Sequence, residues 1–341
     1  MKKIIIMSMS ILFLSKCVDP INLINDENAK TVLVIDAKMI KYKETGRILV
    51  DLIQSSFNTD RSFAFIADEV SVINSAGNKL VLNRYAIGRY SANETASFKF
   101  TYGQKYKIRV FNNNGDTYES SFEELYPSPS IQKTSFKYEP GVKEGLSLSV
   151  NTTLNNENKN KILKWDLFQV FKMTEQKFGG PNLRTCYFSN TLNKTKVSLI
   201  DANNLEVNKA LDLTVVKDIV DHEYSEGSYI TIVQQAIDKK AQSYFIAYNN
   251  LVQREGNIFE TPPGALPTNF KCVSDTTKLV TGYFFATQQD TARIFLSPDQ
   301  LGNPSRLCPI PPNEASDCPA VQCCNCLLFK NASLVRPSYW R

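Results

Sequence analysis

Five of the eight cysteines lie between residues 308 and 326: Cys308, Cys318, Cys323, Cys324 and Cys326. Thiols at this density can do three things. They can hold a metal, with Cys323 and Cys326 as one C-x-x-C pair and Cys308 with Cys318 as a second. A structural zinc needs four such ligands. They can run thiol–disulfide exchange, for which a C-x-x-C opens a helix in a βαβ setting. Here "LLFKNASLV" follows instead. They can staple a segment that cannot order itself. Cys186 and Cys272, further upstream, can join such a framework by pairing with each other or with the tail. With Cys17 set aside, seven cysteines remain, so at least one is a free thiol or bonds to another molecule.

Other chemistry-bearing residues are sparse. His222, in "DHEY" between Asp221 and Glu223, is the single histidine. Ser-His-Asp or Cys-His catalysis therefore has one possible base, and histidine-rich zinc sites are excluded. The expectation for His222 is a solvated loop before a strand; a base tuned by its carboxylate neighbours is the alternative. Glu123-Glu124 and Asp68-Glu69 read as solvated turn charges rather than acid/base couples. No G-x-S-x-G, H-E-x-x-H, phosphate-binding or dinucleotide-binding fingerprint occurs. No catalytic residue, resident metal or cofactor is expected.

What the thiols do depends on their compartment, and the first residues bear on that. "MKKIIIMSMSILFLSKC" has a basic start at Lys2 and Lys3 and an apolar stretch over residues 4–14. That stretch is shorter than the roughly 20 residues a permanent membrane helix requires, and it reads as an export signal over residues 1–16. "LFLSKC" resembles a bacterial lipobox, with Cys17 the lipidated first residue of the mature chain. Lys16 departs from the small residue usual there. An ordinary secretory signal with an incidental Cys17 is the alternative. Export favours disulfides over thiolate–metal sites. Cys186, Cys272, Cys308, Cys318, Cys323, Cys324 and Cys326 are accordingly the candidates for bridges.

The elements that must carry these residues are mostly strands. The 341 residues are 43% hydrophobic, with 20 Phe, 15 Tyr and only 14 Gly. Removing Lys2, Lys3 and Lys16 from 39 basic residues leaves 36 against 34 acidic ones. That near-balance is no electrostatic footprint for nucleic acid. Residues 17–30 read as a polar, lipidated tether. Residues 31–126 hold about seven short strands, with hairpin turns at Ala76-Gly77-Asn78 and Asn114-Gly115. They predict an immunoglobulin- or transthyretin-like β-sandwich. "YPSPSI" (126–131) is a break. Residues 131–300 predict a larger, β-sandwich-like domain, including a buried strand around Trp165, Leu167, Val170 and Phe171. Within it, Ile237, Ala241, Tyr244, Phe245, Tyr248, Leu251 and Val252 recur at helical spacing. They predict one amphipathic helix over about 234–254, stopped near Gly256. Residues 278–297 predict a final hairpin turning at Gln288–Asp290. Residues 301–341 are a Cys-rich tail without periodicity.

Several stretches together carry a resemblance: "CVDPI", "VLVIDAKM", "VSVINSAGNKLVL", "YGQKYKIRVFNNNGDTYES", "RTCY", "SYITIVQQAIDKKAQSYFIAYNNLVQREGNIFETPPGALPTNF", "LVTGYFFAT" and "CCNCLLFKNASLVRPSYW". Their order and spacing resemble the domain-of-unknown-function 4249 family of Bacteroidota outer-membrane lipoproteins, over nearly the whole mature chain. The family's C-terminal cysteine motif and aromatic ending match Cys323 or Cys324, Cys326 and Tyr339-Trp340. The resemblance supplies no catalytic residues. It implies lipid anchoring in the outer membrane and, as a partner, a SusC-like TonB-dependent transporter that the protein helps to capture a nutrient or caps. The expected function is binding rather than catalysis. A surface adhesin or structural lipoprotein is the alternative, and a carboxylate hydrolase the next.

Overall fold

The computed structural model describes residues 31–56, 59–175, 183–192, 197–252, 266–308 and 320–340. The signal, the tether, Cys17, Cys318 and Gly256 lie outside the described residues. The chain is mostly β, with the strands gathered into three sheets.

The first part of the chain supplies ten strands: β1 (Thr31–Tyr42), β2 (Thr45–Ser56), β3 (Thr59–Ala64), β4 (Glu69–Asn74), β5 (Lys79–Val81), β6 (Asn83–Ala86), β7 (Arg89–Asn93), β8 (Lys105–Phe111), β9 (Thr117–Ser120) and β10 (Glu123–Glu124). The next set is β11 (Ile131–Tyr138), β12 (Leu146–Thr153), β13 (Lys161–Thr174), β14 (Thr185–Thr191), β15 (Ser198–Asp201), β16 (Ala210–Asp218) and β17 (Ser228–Asp238). Helix α1 (Lys239–Val252), β18 (Phe270–Cys272), β19 (Val280–Leu296), the one-turn helix α2 (Val321–Cys324) and β20 (Ala332–Ser333) follow.

Alternation sets the first core. In β1, Leu33, Ile35, Ala37 and Met39 point inward, and in β2 Ile48, Val50 and Leu52 do so. They face Val70, Val72, Tyr106, Ile108 and Val110 of the sheet β18-β9-β8-β4-β5, forming a sandwich. The core is not complete at residue 126. Phe270, Cys272, Phe284 and Ala286 return to it from late in the chain. Cys272, a candidate for bridging from the second domain, is instead a buried free thiol in β18, opposite Tyr118 of β9. Its sulfur faces the Ser274 hydroxyl at 3.4 Å.

The second core lies between the three-stranded sheet β11-β12-β16 and the strands β13, β17 and β19. Trp165 is at its centre, 1% exposed. The indole nitrogen donates to Gln234 Oε1 at 2.9 Å, and Gln234 Nε2 donates to the Pro129 carbonyl at 2.6 Å. These bonds meet the requirement that buried polar groups be paired.

The expected hairpin at 278–297 is a single 17-residue strand, β19. Its first half runs parallel to β1 and its second half antiparallel to β17. The polar interruption at Gln288–Asp290 is the passage from one core to the other. Gln288 accepts from Ser128 N at 3.2 Å, and Asp290 accepts from Ile131 N at 2.7 Å. Polar residues there fasten the inter-core segment instead of forming a turn. Gly282 permits the parallel pairing. It sits at φ +105°, and an added Cβ would lie 2.1 Å from the Ile35 carbonyl oxygen. The helix is also shorter than expected. Residues 234–238 end β17, and Asp238 Oδ1 accepts from Lys240 N at 2.8 Å at the helix start. Ala241 and Phe245 pack on Ile162, Ile237, Tyr283 and Phe285.

Candidate ligand pocket

The cysteine-rich tail orders itself against β13 and β14. Cys186 of β14 is bonded to Cys326, and Cys308 to Cys323. Cys324 is disulfide-bonded as well. The first bridge spans 140 residues and the second 15. Around them Phe171, Met173, Phe188 and the half-buried Phe329 form a small core of their own.

Glu175 fastens the same junction. It is paired with Arg184 at 2.8 Å and accepts from the Cys326 backbone N–H at 2.9 Å. Burial pushes its carboxyl up, but the Arg184 and Cys326 hydrogen bonds outweigh this and hold it below its ordinary value. The chain then adds β20 to the edge of β14, with Tyr187 opposite Ser333. Finally it lays Trp340 among Tyr187, Tyr229 and Phe295, with ring centroids 5.1–6.2 Å apart. Arg336 clasps the Trp340 carbonyl at 2.7 Å.

Between this tail and the sheet is a cavity of about 170 Å³. Phe171 and Phe188 are paired across β13 and β14, and their rings stack at 5.0 Å. Phe329 meets Phe188 edge-on at 5.8 Å. With Met173 and Leu307 they make an apolar floor. The rim carries Lys172, Lys330, Asn190, His222, Glu223, Ser225 and Glu226.

His222 lines this pocket from the loop before β17, where it was expected, with its side chain 37% exposed. It occupies a 3₁₀ turn, His222–Tyr224, capped by Asp221, which accepts from Glu223 N at 2.9 Å. His222 Nδ1 lies 3.8 Å from Asp221 Oδ2. Ser225 Oγ donates to the His222 backbone carbonyl at 2.7 Å, so its proton is directed away from the ring. Glu223 accepts from Asn190 Nδ2 at 2.8 Å. Glu226 accepts from Thr174 N at 3.1 Å and faces Arg306 at 3.8 Å. The rim is polar and held in place, and its geometry suits recognition of a small group with an apolar ring or short chain.

The other carboxylate pairs do not converge on a site. Asp68 accepts from Asn113 at 2.6 Å, and Glu69 pairs with Lys79 at 2.6 Å. Glu123, expected to be solvated, is 7% exposed. Its place in β10 turns the side chain inward, to accept from Ser121 at 2.7 Å and Asn269 at 3.0 Å. Burial pushes its carboxyl up. Under α1, Lys164 Nζ lies 2.6 Å from both Asp166 oxygens and 3.0 Å from Gln235 Oε1. Burial pulls its amine below the ordinary value, against the attraction of Asp166. Three donors meet three acceptors, which makes this an internal pair rather than an open site.

Among the described residues, no three His, Cys, Asp or Glu side chains converge to hold a metal. No helix among them is long and apolar enough to cross a membrane.

Sequence reading did not assemble the pocket floor. The signal was present: Cys186 stands two residues before Phe188, and Cys326 three before Phe329. A bond between those cysteines brings the two rings together.

Comparison with protein-family models matches residues 18–293 to a family described as Domain of unknown function (DUF4249). A search of curated proteins finds no match.

Proposed function

The chain belongs to the DUF4249 family, and from that premise we propose that it is a non-catalytic cell-envelope lipoprotein, anchored through Cys17, that serves as a binding subunit of a SusC-like TonB-dependent outer-membrane transporter. The observation that supports binding is the pocket: an aromatic floor, a polar rim, and a wall made by a stapled tail. Among the described residues near its one histidine, Ser225 donates its hydroxyl proton to the His222 backbone carbonyl and not to the ring. A cavity of about 170 Å³ is below the roughly 300 Å³ at which drug-sized pockets begin. It suits one ring or a short chain of a larger molecule, such as a nutrient delivered onward to a barrel.

The outer-membrane part of the reading rests on the lipobox-like "LFLSKC" and on the resemblance set out above. The test is affinity purification of the native protein from gently solubilised membranes. The proposal expects an outer-membrane barrel to co-purify in comparable amount, and to retain the wild-type protein better than a Phe329→Ala variant when the nutrient is present. A clean monomer from the same membranes contradicts it.

A further inference from the structure

The open end of the first sandwich holds a second cleft, of about 390 Å³, which shares no residue with the pocket beside the tail. One wall is the inner face of β1 and β2. Leu33 pairs there with Gln54, which has the inward parity of the buried Leu52. The other wall is Tyr118 of β9 with the turn between β8 and β9, which brings Asn112, Asn114 and Asp116. The chain leading into β19 closes the cleft at Lys278 and Leu279. This rim is tied together: Lys278 Nζ lies 2.6 Å from both Asp116 oxygens, and Thr117 N donates to Ser274 Oγ at 3.0 Å.

Tyr118 marks the cleft as a site. It is 6% exposed, and its hydroxyl makes no hydrogen bond among the described residues. Among those residues the one side-chain oxygen or nitrogen both shut from solvent and unpaired is Thr281 Oγ1. The Tyr118 hydroxyl is therefore not sealed in, and the space it meets is the cleft. A tyrosine so buried ordinarily has its hydroxyl paired. Burial, and then the charge of Asp116, pushes this hydroxyl up to about 12, so it stays a neutral donor.

The lining selects for polarity without charge. Asp116 and Lys278 neutralise one another, and no other charged side chain lines the cleft. The Gln54, Asn112 and Asn114 side chains likewise make no hydrogen bond among the described residues. Each amide sets a donor beside an acceptor, which matches a hydroxyl, a group that is both. Leu33 and the half-buried Phe65 add apolar surface for C–H groups. Hydroxyls around a ring whose faces are C–H are the chemistry of a sugar. We infer that this cleft binds a neutral sugar of about one or two rings, with Tyr118 donating to one hydroxyl and Gln54, Asn112 and Asn114 bonding others. The inference needs neither the lipid anchor nor the tail pocket.

The test uses the mature chain with its disulfides intact. Saturation-transfer difference NMR is run against glucose, galactose, mannose, xylose, maltose, cellobiose and lactose, with glucuronate and glucosamine as charged counterparts. Sugars that give a signal are titrated for Kd. At least one neutral sugar should bind, and more tightly than glucuronate or glucosamine. Tyr118→Phe removes one oxygen and keeps the ring in the core, and it should raise that Kd about three- to tenfold. Gln54→Ala, at the half-exposed mouth, should do the same and keeps the test open if Tyr118→Phe fails to fold. Ile246→Ala, on the exposed side of α1, should leave the Kd unchanged.

The inference is overturned if no neutral sugar binds saturably with a Kd below about 10 mM. It is overturned equally by binding that folded Tyr118→Phe and Gln54→Ala leave intact, or by tighter binding of glucuronate or glucosamine.

Discussion

Two of the tail disulfides differ in sequence separation, and that difference fixes an order of stability losses. In the chain-entropy account a bridge acts by restricting the unfolded chain, as the logarithm of the loop it closes. Cys186–Cys326 closes 140 residues and Cys308–Cys323 closes 15. The expected contributions are about 5 kcal/mol and about 3 kcal/mol. Cys186→Ala/Cys326→Ala should therefore destabilise the protein by about 2 kcal/mol more than Cys308→Ala/Cys323→Ala. The larger loss also releases the wall that carries Phe329 against Phe188.

The assay is guanidinium unfolding followed by tryptophan emission. In a Trp340→Phe background Trp165 alone reports on the second core, and in a Trp165→Phe background Trp340 reports on the tail. The double variant at 186 and 326 should show the tail transition moving to lower denaturant than the core transition. If Cys308→Ala/Cys323→Ala were the more damaging, or if both lost less than about 1 kcal/mol, loop restriction would not be what orders the tail.

Other changes should be as specific. Gly282→Ala places a Cβ against the Ile35 carbonyl oxygen in a left-handed conformation, so a loss of about 3 kcal/mol or more is expected in thermal or denaturant unfolding. Trp340→Ala empties the aromatic box formed by Tyr187, Tyr229 and Phe295. It should cost about 3–5 kcal/mol and raise proteolytic cleavage of the tail. Glu175 is held below its ordinary value of 4.5. Its contribution is thus present above the unfolded value and is lost as pH falls through the lower folded value. Titrating stability from pH 6 downward should show a loss below about 4.5 that Glu175→Gln lacks.

Much of the fold was legible because local chemistry and tertiary structure agree. The turns at Ala76-Gly77-Asn78 and Asn114-Gly115 sit between β4 and β5 and between β8 and β9. Alternating Leu33, Ile35, Ala37 and Met39 face the core. What sequence could not supply was which distant segments meet. Gln288–Asp290 reads as a turn because three polar residues interrupt an apolar run. Only the arrival of Ser128 and Ile131 shows that they serve as acceptors between two cores. Cys272 reads as part of the second half until the chain is seen to return to the first sheet. The helix was found but started late, since Ile237 fits either a strand or a helical stripe. The pocket was the least legible feature, because its floor comes from three segments joined by a bond whose partners no spacing rule identifies.

The central claim is an exported, anchored protein whose tail is stapled by disulfides to form a binding wall. Intact mass of the protein taken from its native membranes tests it most directly, after denaturation and alkylation with and without reduction. The account predicts the mass of residues 17–341 plus acyl groups. Without reduction, Cys272 should be alkylated, while Cys186, Cys308, Cys323, Cys324 and Cys326 stay protected until reduced. An unacylated mass, or tail cysteines that alkylate freely without reductant, would contradict it.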